Sequence, residues 1–133
     1  MTGNGYSQYQ QNQLSTATPA KLLLAAYDGA IRFSLSAEQE MKNGNFERQN
    51  HFINRALAIV YELVTSLREE VEPTLVSRLR SLYAYVIEKL AYANLKQDDA
   101  ALKEAVKILS ELREAWAEAE KNIALAAARK EAA

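Results

Sequence analysis

The chain has 133 residues, 49% apolar and 25% charged, with a net charge of −1 and a pI near 5.9. That is one domain's worth of sequence with enough apolar residues for a real core, and the near-neutral balance excludes general nucleic-acid binding, which needs a basic face. No cysteine is present, so disulfides and thiol chemistry are excluded. No apolar run approaches the roughly 20 residues of a membrane span, and the start lacks a signal peptide's charged and apolar regions. The sequence therefore predicts a cytoplasmic protein without membrane insertion.

Residues 1–18, MTGNGYSQYQQNQLSTAT, carry no charged side chain, and only Tyr6, Tyr9 and Leu14 are sizeable apolar groups. Such a segment cannot form its own core. It reads either as a flexible polar arm or as an arm whose Tyr6, Tyr9 and Leu14 dock on the body of the protein. The body, residues 19–133, reads as a single helical domain.

Thr18-Pro19 opens the first predicted helix, since Thr caps well and Pro belongs at the first helical position. Asn43-Gly44-Asn45 closes it. Gly29 lies mid-helix, where glycine costs about 1 kcal/mol against alanine, and a close helix–helix approach is the usual reason for one. A second helix is predicted from Phe46 to Glu69, with Phe46, Ile53, Leu57, Val60, Val64 and Leu67 at helical spacing. Pro73 opens the third, which places Val76, Leu79, Leu82, Tyr83, Val86, Leu90 and Ala93 on one face. A turn near Lys96-Gln97-Asp98 follows, with Asp98 as N-cap. The fourth helix presents Leu102, Ala105, Val106, Leu109, Leu112, Trp116 and Ile123, and its end, ALAAARKEAA, is expected to fray. Four long helices with short connections predict an all-α, antiparallel up-down four-helix bundle.

Little in this sequence supports catalysis. There is one histidine, His51, and the nearest acidic residue upstream is Glu47 at i−4, so the paired Glu-x-x-His motifs of di-metal bundles are missing. A zinc site draws on several His or Cys ligands, and these are lacking too. Asp28-Gly29-Ala30 is a helix interior and not a phosphate loop. The reading is a non-enzymatic protein with no cofactor and no metal.

Apolar surface is the stronger signal. The start of the first helix is apolar most of the way round: Leu23, Tyr27, Ala30 and Met41 fit one stripe, while Leu22, Ala26 and Phe33 fall on another. Tyr85 and Tyr92 lie seven apart and off the main stripe of the third helix. Apolar area beyond the needs of a core points to a second contact surface. Its alternatives are a partner groove, a homodimer face, or a tight core with tyrosines at its rim.

The run LSTATPAKLLLAAYDGAIRF, Leu14 to Phe33, resembles the opening of the flagellin-specific export chaperones of the FliS family. NRALAIVYELVTSL (Asn54 to Leu67), LRSLYAYVIEKLAYAN (Leu79 to Asn94) and ILSELREAW (Ile108 to Trp116) resemble the family's later helices, in the same order. Ala84 stands where the family often has Asp, and the linker REEVEPTLVS lacks the glycine often found there. The resemblance implies a cytosolic bundle that holds the C-terminal segment of flagellin, prevents premature polymerisation and helps present the subunit to the flagellar export gate. Groove candidates are then Leu22, Ala26, Tyr27, Ile31 and Phe33 on the first helix and Tyr83, Tyr85 and Tyr92 on the third, with a core role competing for Tyr27, Ile31 and Tyr83. The alternative function is a helical-bundle interaction or regulatory protein that homodimerises and serves no export.

Overall fold

Thr18 Oγ1 accepts the backbone N–H of Lys21 at 3.2 Å, and Pro19 follows it, so the first helix begins where the sequence predicts. The computed structural model describes residues 18–68, 70 and 72–132. Within them lie four α-helices: α1 (Pro19–Lys42), α2 (Phe46–Thr65), α3 (Pro73–Lys96) and α4 (Asp99–Ala132). Asn45 caps α2 by accepting the N–H of Arg48 at 3.3 Å, and Asp98 caps α4 by accepting the N–H of Ala101 at 3.1 Å. Gly44 takes φ +73° in the turn after α1, a left-handed conformation that suits glycine.

One boundary differs from the sequence reading. α2 ends at Thr65, short of Glu69. The hydroxyls of Thr65 and Ser66 donate to the carbonyls of Glu62 and Leu63 at 2.9 and 2.8 Å, drawing the last turn onto side-chain partners. α4 runs as helix to Ala132. Its end is rich in good helix formers, and Arg129 and Lys130 in the last turn complement the helix dipole.

The helices pack around a square, α1 against α2 and α4, and α3 against α2 and α4. Facing pairs show the antiparallel order. Phe33 stacks with Phe52 at a centroid distance of 6.3 Å, Gly29 faces Ile59, and Arg113 of α4 donates to Asp28 of α1 at 2.9 Å. At the end of the bundle where α2 starts, Gln49 Nε2 donates to Asn94 Oδ1 at 3.1 Å, and Asn94 Nδ2 donates to Asn50 Oδ1 at 2.7 Å. These amide bonds fix the register of α2 against α3.

Tyr27, Ala30, Ile53, Ala56, Val60, Leu63, Leu79, Tyr83, Val86, Leu90, Leu102, Ala105 and Leu109 make up most of the core. Leu57, Val64, Leu67, Leu112 and Trp116 pack against it part-buried. Phe46, Leu82 and Ile123, predicted on inner faces, are exposed. Phe46 is the first residue of α2 and Ile123 lies far along the longest helix, so neither has a full layer of helices beside it. Gln49 is buried instead of a nearby apolar residue, held by its bond to Asn94. Among the described residues, no helix is long and apolar enough to cross a membrane.

Candidate partner-binding surface

Three side chains tie the core together near the start of α1. Trp116 Nε1 donates to the Tyr27 hydroxyl at 3.1 Å, and the Tyr27 and Tyr83 hydroxyls lie 2.5 Å apart. Burial pushes both phenols above their ordinary value. For Tyr27 the bonds to Tyr83 and Trp116 oppose that push, and for Tyr83 the neighbouring Tyr27 adds to it. Tyr27 is 0% exposed and Tyr83 1% exposed. The assignment of these two to a surface groove is therefore corrected. Their rings fill the bundle interior, and their polar ends are satisfied by one another and by Trp116. Ile31 is part-buried against the core.

The second stripe of α1 meets α2 in a groove. Pro19, Leu22, Leu23, Ala26, Ile59, Glu62, Leu63 and Ser66 line a cavity of about 320 Å³. Phe33, Arg55, Ala58, Ile59 and Glu62 line another of about 220 Å³. Ile59 and Glu62 belong to both, so the two run together along the α1–α2 seam. From Pro19 to Phe33 this is roughly 20 Å of helix at 1.5 Å per residue. Leu22, 43% exposed, marks its apolar end. Gly29 gives the seam its depth, because a Cβ there would stand 3.2 Å from Ile59 Cδ1.

Two further apolar hollows lie beside Trp116. One, about 320 Å³, is bounded by Pro19, Ala20, Leu23, Trp116, Ala119, Glu120 and Ile123 between α1 and α4. The other, about 200 Å³, is bounded by Leu75, Leu79, Leu112, Ala115, Trp116 and Ala119 between α3 and α4. Pro19 thus borders hollows on both sides of α1, directly after the arm. Tyr85 and Tyr92, 38% and 48% exposed, lie on α3 and do not line the α1–α2 groove. Tyr6, Tyr9 and Leu14 lie outside the described residues.

The structure thus brings Leu22, Ala26 and Phe33 together and sets Tyr85 and Tyr92 apart. Reading the sequence one helix at a time missed the other wall of the groove: Ile59, Glu62 and Arg55. The available signal was Ile59, an isoleucine off the main stripe of its helix. His51 is exposed and meets Phe52 edge-on at 5.4 Å.

This geometry defines an up-and-down four-helix bundle with apolar hollows on both sides of the first turns of α1. Residues 2–123 match the family model "Flagellar protein FliS". The chain is 35% identical to the flagellar secretion chaperone FliS of Bacillus subtilis over 87% of this chain and 86% of that one. It is 32% identical to the FliS of Campylobacter jejuni over 88% of this chain and 91% of that one. A solved bacterial flagellar chaperone superposes with a TM-score of 0.74 at 18% identity, covering 92% of this chain and 99% of that one. The chain belongs to the FliS family of flagellar secretion chaperones.

Proposed function

We propose that the chain binds the C-terminal segment of flagellin in the cytoplasm, along the α1–α2 groove, and keeps that segment from polymerising before export. The observation that carries this reading is the continuous, largely apolar groove of Leu22, Ala26, Ile59 and Phe33 in a family of flagellar secretion chaperones. The groove suits an amphipathic segment that orders as it binds, with its apolar anchors three and four residues apart. Ordering the segment costs several kcal/mol, which moderates affinity and permits handover to the flagellar export gate. Binding of this kind needs neither cofactor nor metal. Exposed apolar side chains on α3 extend the contact for a segment long enough to continue round the bundle.

Calorimetric titration of the full chain with a flagellin C-terminal segment of about 40 residues tests the reading. The expected result is one-to-one binding with a negative heat-capacity change and a gain of helix in the segment. No heat and no helix gain at about 100 μM, a concentration that detects weak complexes, would rule it out.

A second reading has its own observation. Leu75, Leu82, Tyr85 and Tyr92 are all exposed on α3 at intervals of seven, three and seven, the spacing of a coiled-coil seam. A second copy of the chain fits that seam. Sedimentation of the free protein separates the readings, since a dimer dispersed by Leu82→Glu with client binding intact would assign α3 to self-association.

A further inference from the structure

The α1–α2 groove is not the same at its two ends. Around Leu22 and Ala26 it is mainly apolar, but at Phe33 its wall includes the cation of Arg55, and a second cation, Arg32, stands against the same ring. The Arg55 guanidinium carbon lies 5.2 Å from the Phe33 ring centroid and that of Arg32 lies 5.9 Å from it, one reaching from α2 and the other from α1 itself. Among the described residues neither has a carboxylate at ion-pair distance, whereas the neighbouring Arg48 pairs with Glu40 at 3.4 Å and Arg113 with Asp28 at 2.9 Å. Two like charges held against one ring repel each other. The arrangement is tolerated in solvent and becomes favourable when an anion sits between or beside them.

We propose that Arg32 and Arg55 form a carboxylate clamp that binds an acidic side chain at one end of the protein segment lying in the α1–α2 groove. The inference rests on the reading of that groove as the client site. It adds the chemistry of the occupant: apolar anchors over Leu22, Ala26 and Ile59, and an aspartate or glutamate at the end over Phe33. Stacking on the ring limits the guanidinium orientations while leaving their N–H edges free for bidentate bonds to a carboxylate. Glu62 lines both parts of the groove. A run of phosphates laid along the seam would pass over that carboxylate, whereas a single acidic group at Arg55 stands about two turns of α2, roughly 10 Å, from it. The clamp also fixes direction, because a segment entering reversed would place its acidic end on apolar wall.

The test uses the full chain and two synthetic 18-residue amphipathic helical peptides, identical except that one carries two glutamates in a terminal turn and the other two glutamines. Affinities are measured for the wild type and for Arg32→Gln/Arg55→Gln at low and high salt. Exposed pairs of this kind contribute modestly, so the glutamate peptide should bind the wild type about three- to tenfold more tightly at low salt. That advantage, taken as the ratio of the two peptides' affinities, should vanish in the double variant and shrink with salt, whatever both peptides lose to the altered groove wall. Comparing proteins with the same peptide pair cancels any difference in the peptides' own helicity. Equal affinity of both peptides for the wild type, an advantage that survives in the variant, or no binding of either peptide would each overturn the clamp. The flagellin segment is titrated alongside. If it binds wild type and double variant equally, the clamp fails and the client reading stands; if it does not bind at all while the peptides show the charge effect, the client reading fails and the clamp stands.

Discussion

Tyr27 and Tyr83 meet hydroxyl to hydroxyl across the diagonal of the bundle, and Tyr27 is also the acceptor for Trp116. The two tyrosines are not equivalent in energy. Tyr27→Phe leaves both the Trp116 N–H and the Tyr83 hydroxyl without their partner, at about 1–3 kcal/mol for a buried polar group left unpaired. Tyr83→Phe leaves the Trp116–Tyr27 bond in place. Urea denaturation should show Tyr27→Phe as the more costly by about 1 kcal/mol, and equal costs would contradict this geometry. The pair also governs behaviour at high pH. Both phenols are raised above the ordinary value of 10.0 in the folded protein, chiefly by burial. Above that pH the unfolded chain releases protons that the native state still holds. The stability the phenols contribute is therefore complete below pH 10 and lost as pH rises toward the folded-state values. Urea midpoints should fall between pH 8 and pH 10.5, and fall less in Tyr83→Phe, where one raised phenol is gone.

At the scale of single helices, Gly29 and the end of α4 make opposite demands. Gly29→Ala gains about 1 kcal/mol in helix propensity, yet its Cβ would press on Ile59 Cδ1. That atom belongs to a part-buried side chain at the groove, free to swing outward. Global stability should stay within about 1 kcal/mol of wild type, and the displaced Ile59 should fill the groove and weaken client binding roughly fivefold, or about 1 kcal/mol. Unchanged affinity would place the client elsewhere. On α4, residues 124–132 are exposed throughout, and the family match stops at residue 123. Ending the chain after Ile123 should shift Tm by no more than about 2 °C. Ending it after Ala115 removes Trp116 and should lower Tm by roughly 10 °C, since each kcal/mol is worth several degrees in a domain of this size. The starts of α1, α3 and α4 were legible because Thr18-Pro19, Pro73 and Asp98 act through local geometry. Tyr27 and Tyr83 were not, because tyrosine suits a rim and a core alike, and only the hydroxyl partner from a distant helix decides. The groove was half legible: Leu22, Ala26 and Phe33 share a stripe on α1, but a groove belongs to two helices, and periodicity within one says nothing about Ile59 or Arg55 opposite.

For the whole molecule, the question is what occupies the hollows around the first turns of α1 when no client is bound. Pro19 borders two of them, one with α2 and one with α4, and the uncharged residues 1–18 lead straight into it. Residues 1–17 span roughly 55 Å when extended, well beyond the roughly 20 Å of the α1–α2 seam. The docking of Tyr6, Tyr9 and Leu14 expected from the sequence lies outside the described residues, and variants of those side chains test it. An arm that covered the groove would shield the apolar hollows in the free protein and add a competition term to client affinity. Deleting residues 1–16, or replacing Tyr6 and Tyr9 by Ser, should raise self-association and binding of an apolar dye in the free protein. Client affinity should rise in the same variants, because nothing need be displaced. A fall in affinity would show that the tyrosines contact the client themselves. Unchanged self-association together with unchanged affinity would mean that the arm covers nothing and that the hollows are open in the free chaperone.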